Sequence, residues 1–223
     1  VDDSMLTALW NIVSTRPVWI AASTHKGEEE PVANAHYAIA ENHPGLLTII
    51  IPRHPIRGKE IAISLANLGL TVSLRSENKP VQPETQIYIA DTLGELGLFY
   101  RISPIAFIGG TLIPHGGQNM LEAAKLECAI IHGPSTSNFT SITNKISEVE
   151  GAIEIKNDFE LASAVNNLLN DEKRRKAQIS AALRVAKSQN SILDNIMAEL
   201  APFLAPFQIP SSTNSDVQEN AGA

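Results

Sequence analysis

Residues 46–52 read LLTIIIP: Leu46, Leu47, Thr48, Ile49, Ile50 and Ile51 follow one another without a charged side chain, up to Pro52. So short a run, rich in β-branched residues, favours a strand, and its lack of alternation says more. A strand with one wet face alternates apolar and polar side chains. A strand in a parallel sheet is covered by helices on both faces and reads as a continuous apolar run. This stretch therefore predicts a buried strand of a parallel sheet.

Similar runs recur on either side: PVWIAAS (17–23), TVSLRS (71–76), QIYIAD (86–91), IAFIGG (105–110), AIIHGP (129–134) and AIEIK (152–156). Between them the pattern predicts helices near 27–41, 55–69, 94–103, 117–127, 138–150 and 157–170. In TLGE, Thr92 and Glu95 have the spacing of a capping box. Strand and helix alternating in this way specify a doubly wound α/β domain, whose ligands sit outside the carboxyl ends of the strands. Beyond 157 a long helical region follows, with Ile179, Leu183, Ala186, Ile192 and Ile196 near a 3.6-residue period. The expected division is a leading segment (1–16), a Rossmann-like domain (17–156), a helical region packing on it (157–209) and a polar, proline-punctuated tail (210–223). No internal repeat is present.

The chain has 223 residues and a formal net charge of −7, so it lacks the overall positive field that nucleic acid would require. Its one cysteine, Cys128, is expected in the core, and no Cys or His spacing offers a zinc cage. No apolar stretch approaches the roughly 20 residues of a membrane span. The N-terminus VDDSMLTALW has neither the basic nor the apolar region of a signal peptide, and it lacks an initiator methionine. A soluble piece of a longer protein is the expectation.

Four strand ends carry polar loops. In STHKGEEE (23–30), Ser23, Thr24 and His25 precede three glutamates, which read either as helix-dipole partners in a first turn or as part of a cleft. In PRHPIRGK (52–59) a buried strand delivers Arg53 and His54, followed by Arg57 and Lys59: an anion site or a basic surface turn. DTLGELG (91–97) is a glycine-containing helix start. Finally, GGTLIPHGGQNMLEA (109–123) combines Gly109, Gly110, Gly116 and Gly117 with Asn119 and Glu122, three apart at a helix start. A phosphate on the N–H groups there, with Glu122 on a ribose diol, suits a nucleotide. The spacing is neither GxGxxG nor GxxxxGK[ST].

PVWIAASTHKGEEE, IIIPRHP, IADTLGELGLFYRISPIAFIGGTLIPHGGQNMLEAAKL and HGPSTSNF together, from about residue 17 to 155, resemble the C-terminal half of 3-deoxy-D-manno-octulosonic acid (Kdo) transferases, enzymes of lipopolysaccharide biosynthesis. The resemblance implies a GT-B glycosyltransferase, two Rossmann-like domains facing a cleft, of which this is the half that binds the donor CMP-Kdo. It places CMP on Pro52 and Arg53, on Leu93, Gly94 and Glu95, and on Asn119, Met120, Leu121 and Glu122. Ser23, Thr24, His25, Gly110, Thr111, Gly116 and Gly117 should face the same cleft. Arg53 would stabilise the leaving phosphate. The catalytic base, the acceptor site for a lipid A precursor and the membrane contact would lie in the N-terminal half, at the cytoplasmic face of the bacterial inner membrane. The reaction would be inverting, with no metal or other cofactor, and this chain alone would be inactive. Met120 and Ala123 stand where the family usually has proline, as does Ala129 before the sixth strand. The competing readings are another GT-B transferase or an epimerase using a UDP-sugar, and a non-catalytic nucleotide-binding module.

Overall fold

The seven expected strands form one wholly parallel sheet: β1 (Val18–Thr24), β2 (Leu47–Pro52), β3 (Val72–Leu74), β4 (Ile87–Ile89), β5 (Ile105–Ile108), β6 (Ala129–His132) and β7 (Ala152–Glu154), in the order β3-β4-β2-β1-β5-β6-β7. The computed structural model describes residues 7, 9, 10, 13–78 and 81–204, and of 190–199 and 201–204 only the backbone. LLTIIIP is central: Leu47 to Ile51 align with Val18 to Ala22 of β1, and Thr48 to Ile50 with Ile87 to Ile89 of β4.

Helices cover both faces, which is why no strand alternates. Val18, Ile20, Leu47, Ile49, Ala106 and Ile130 face one core. That core is completed by α3 (Leu96–Ile102), α4 (Leu121–Lys125), α5 (Thr140–Glu148) and the first half of α7 (Glu172–Leu204). Trp19, Ala21, Ile50, Phe107 and Ile131 face the other, against α1 (Glu29–Ala40), α2 (Gly58–Asn67) and α6 (Asp158–Asn170). Cys128 is in the first core, as expected. Burial pushes its thiol up to about 12, and the sulfur lies 3.2 Å from the Tyr100 carbonyl oxygen.

The compact unit extends to Lys187; Ser188 onward forms a second unit, helical as far as Leu204. Of the stripe expected on α7, Ala186 is buried. Gln178, Ala181, Ala182 and Ala186 face inward, while Ile179 and Leu183 are only half-buried. Small residues are needed on that stripe because the helix runs against a bare glycine: a Cβ on Gly151 would lie 2.9 Å from the Ala182 nitrogen. The side chains of Ile192 and Ile196 and the tail 210–223 lie outside the described residues.

His36 on α1 is 1% exposed; its Nδ1 lies 2.9 Å from Thr48 Oγ1 and its Nε2 has no hydrogen-bond partner. Burial first, and then the charge of Arg16, lower its pKa from 6.5 to about 4. The unfolded chain therefore takes up a proton that the folded chain refuses. Stability is full above pH 6.5 and is lost as pH falls toward 4, by about 2.5 kcal/mol at pH 4.5. Urea midpoints at pH 7 and 4.5 should show this loss in the wild type. In His36→Gln the pH dependence should shrink by that amount.

Candidate functional site

β1 is the strand at which the chain changes direction across the sheet, with β2 on one side and β5 on the other. The crevice beside such a switch point is where open α/β sheets bind ligands. Here the end of β1 is bulged: its register slips between Ala22 and Thr24, and Ser23 takes φ +58°.

Beside it opens a cleft of about 280 Å³, lined by Ser23, by Pro52 and Arg53 from the end of β2, by Leu93 and Gly94 after β4, and by Gln118, Asn119 and Glu122 before and on α4. Three loops far apart in sequence thus meet at one place, and they are the three that the resemblance marked. Arg53 is exposed, and no hydrogen bond or ion pair among the described residues engages its guanidinium. Leu93 is 83% exposed and a side chain at Gly94 would meet nothing within 4 Å, so this rim is open to a ligand.

Asn119 and Glu122 do not share a helix, as their spacing suggested. α4 begins at Leu121, and Asn119 turns its Oδ1 back to accept the Leu121 N–H at 3.0 Å. Met120 is fully buried and Leu121 packs against the same core, so neither side chain lines the cleft.

Glu95 does not line it either. Both its oxygens are held by Arg75, at 2.8 and 3.1 Å, and Thr92 donates its hydroxyl to the same carboxylate. The expected capping box is therefore not formed: Glu95 stands at the N-cap of α3 with no side-chain cap bond. Arg75, then burial working against it, then Thr92 set the Glu95 pKa, which lies below the usual carboxylate range. Ser76 and Asp91 add two bonds, the Ser76 N–H and hydroxyl donating to Asp91 at 2.9 and 2.7 Å. The network fixes both ends of the Leu93–Gly94 turn.

The largest departure from the sequence reading concerns the first and fourth loops. Thr24, Gly110, Thr111, Gly116 and Gly117 are buried, and none lines the cleft. The four glycine N–H groups are already used: Gly109 donates to the Ala22 carbonyl, Gly110 to Glu28, Gly116 to Ser135 Oγ and Gly117 to the Gly110 carbonyl. Bare backbone here admits other backbone. At Gly117, φ is +80° and a Cβ would lie 2.9 Å from the Ser135 carbonyl oxygen.

Of the three glutamates that read as helix-dipole partners, Glu28 and Glu29 are buried and Glu30 is exposed. Glu28 is fully buried and accepts four backbone N–H groups: His25 at 2.9 Å and Gly110 at 2.7 Å on Oε2, Thr111 at 3.1 Å and Leu112 at 3.0 Å on Oε1. One carboxylate thereby ties the loop after β1 to the loop after β5. Glu29 pairs with Arg57 through both oxygens, at 2.7 and 3.2 Å, and accepts the Thr24 hydroxyl at 3.1 Å. Arg57 is thereby occupied, which leaves Arg53 as the uncommitted arginine of its loop.

His25 sits beside the cleft. Its ring lies 3.8 Å, centroid to centroid, from His115 and 6.1 Å from His54, and its Nε2 is 3.1 Å from Gln118 Nε2. Burial first, then His115, His54, Arg53 and Arg57, lower its pKa. Gln118 and Tyr100 also line the cleft, and the sequence reading passed over both. Tyr100 stood inside a helical run with no pattern to set it apart.

No family model matches the chain. Among curated relatives, the 3-deoxy-D-manno-octulosonic acid transferase of Haemophilus influenzae is 38% identical over 203 residues, 91% of this chain and 47% of that protein. The chain spans about half the length of the curated relatives it matches. Among solved structures, HepE of Anabaena bound to UDP-glucose aligns with a TM-score of 0.62 at 15% identity, covering 92% of this chain and 54% of that one, which shows the GT-B fold alone. The C-terminal CMP-Kdo binding domain of WaaA from Acinetobacter baumannii aligns with a TM-score of 0.77 at 30% identity, over 82% of this chain and 94% of that domain. A parallel Rossmann-like sheet and this agreement across nearly all of a solved domain lead to one conclusion: the chain belongs to the Kdo transferase family, as its C-terminal, GT-B half.

Proposed function

We propose that this chain is the donor half of a glycosyltransferase that moves Kdo from CMP-Kdo to a lipid A precursor in lipopolysaccharide synthesis. The other half would supply the catalytic base, the acceptor site and the contact with the cytoplasmic face of a bacterial inner membrane. No helix among the described residues is long and apolar enough to cross a membrane. The observation that carries the reading is the single cleft into which Pro52, Arg53, Leu93, Gly94, Asn119 and Glu122 converge from three loops, with an uncommitted arginine at its wall.

In this cleft Glu122 accepts hydrogen bonds from the ribose diol, the Leu93–Gly94 turn borders the nucleotide, and Arg53 meets the phosphate. An acceptor hydroxyl oxygen attacks the anomeric carbon of Kdo from the face opposite the phosphate, with inversion. The bond from that carbon to the phosphate oxygen breaks, and its electron pair leaves with CMP. The acceptor proton passes to the base in the other half. Arg53 faces the charge that grows on the departing phosphate and is already in place when it appears. CMP-Kdo is a substrate, and neither a metal nor another cofactor takes part.

Titration calorimetry of the 223-residue chain with CMP, UMP and UDP tests the reading. CMP should bind most tightly, and the chain alone should transfer no Kdo. Tighter UDP binding would replace the reading with that of a UDP-sugar enzyme.

A further inference from the structure

His25, His54 and His115 come from the loops after β1, β2 and β5, and so meet at the switch point of the sheet. They adjoin the cleft on two sides: Gln118 touches His25 and lines the cleft, and Arg53, next to His54 in the chain, lines it as well. No carboxylate is among the groups that act on the His25 ring. Of the three glutamates at the start of α1, two are spent, Glu28 on four N–H groups and Glu29 on Arg57 and Thr24, and Glu30 is exposed. Three imidazoles and Arg53 therefore share one corner, and the uncommitted acid of the adjoining cleft, Glu122, is the one assigned to the ribose. The His25 ring is tilted by 35° against His115 and stands edge-on, at 89°, to His54, and among the described residues no group of three or more His, Cys, Asp or Glu is placed to hold a metal. A corner of this kind is complementary to an anion.

A sugar acid joined to CMP carries two negative groups, the phosphodiester and the sugar carboxylate. Arg53 accounts for one. We infer that the His25–His54–His115 cluster, with Gln118, is the subsite for the carboxylate of the donor sugar. This rests on the donor reading above and adds to it what distinguishes a sugar acid from a neutral sugar. Burial first, and then the like charges of His115, His54, Arg53 and Arg57, lower the pKa of His25 in the empty site, and a carboxylate entering there offsets the charges. Binding of the acid then takes up a proton and weakens as pH rises from 6 to 8.

The test compares two probes on the 223-residue chain: CMP-Kdo and the methyl phosphodiester of CMP, which matches its phosphate charge and lacks the carboxylate. His25→Gln and His115→Gln should each weaken CMP-Kdo binding about tenfold and leave the methyl ester within about twofold. His54→Gln, at an exposed ring, serves as the variant least able to disturb folding and should move CMP-Kdo in the same direction. Wild-type affinity for CMP-Kdo should fall between pH 6 and 8 while that for the methyl ester stays flat. Equal losses for both probes, or no loss for either, would overturn the subsite and leave the donor reading standing. A wild type that binds neither probe would overturn both.

Discussion

Replacing Glu28 by alanine is expected to cost about 3–5 kcal/mol of stability, the range for removing one side of a buried, charge-assisted arrangement. Four N–H groups lose their acceptor at once, and three of them (Gly110, Thr111 and Leu112) lie on the loop that follows β5. For a domain of this size such a loss lowers the thermal midpoint by on the order of 10 °C. Glu28→Gln should recover only part of it, because its amide nitrogen turns a donor toward one of the two pairs of N–H groups. A variant as stable as the wild type would mean that Glu28 is an ordinary first-turn residue in water, as its sequence context suggested.

Glu28 also marks the boundary of what the sequence made legible. The strands were readable because burial on both faces leaves a composition signature within each run, and LLTIIIP carries it without help from the rest of the chain. The cleft-lining loops were readable because they sit at strand ends and hold residues suited to a nucleotide. Bonds across 82 to 84 residues, from Glu28 to Gly110, Thr111 and Leu112, leave no local pattern. The same is true of the glycines: a pair that admits another backbone segment reads like a pair that admits a phosphate. At Glu95 the local signal was real but outcompeted. Thr92 and Glu95 have the spacing of a capping box, yet a charged partner, Arg75, arrives from 20 residues away and takes both oxygens.

Glu122→Gln is expected to weaken CMP binding about tenfold to 150-fold, or roughly 1.5–3 kcal/mol, with the thermal midpoint nearly unchanged. Glutamine keeps the shape of the side chain, but it exchanges one acceptor oxygen for a donor and removes the charge. Glu122 is exposed at the first turn of α4 and lines the cleft, so the fold does not depend on it. A residue serving only the helix dipole would show the reverse: about 0.3–1 kcal/mol of stability lost and binding untouched. The 2′,3′-dideoxyribose analogue of CMP supplies the control. It should bind the wild type poorly and respond little to the mutation.

Both the donor role and the sugar-acid subsite depend on where CMP sits, and the molecule offers a larger alternative, a cavity of about 600 Å³ between β7 and the start of α7 with Arg174 and Arg184 on its walls. Following backbone amide signals by NMR while CMP is added to the 223-residue chain decides between them. Shifts confined to residues 53–54, 92–95 and 118–123 are the predicted result. Shifts centred on residues 147–153 and 174–184, with the loops after β2 and β4 unmoved, would contradict it.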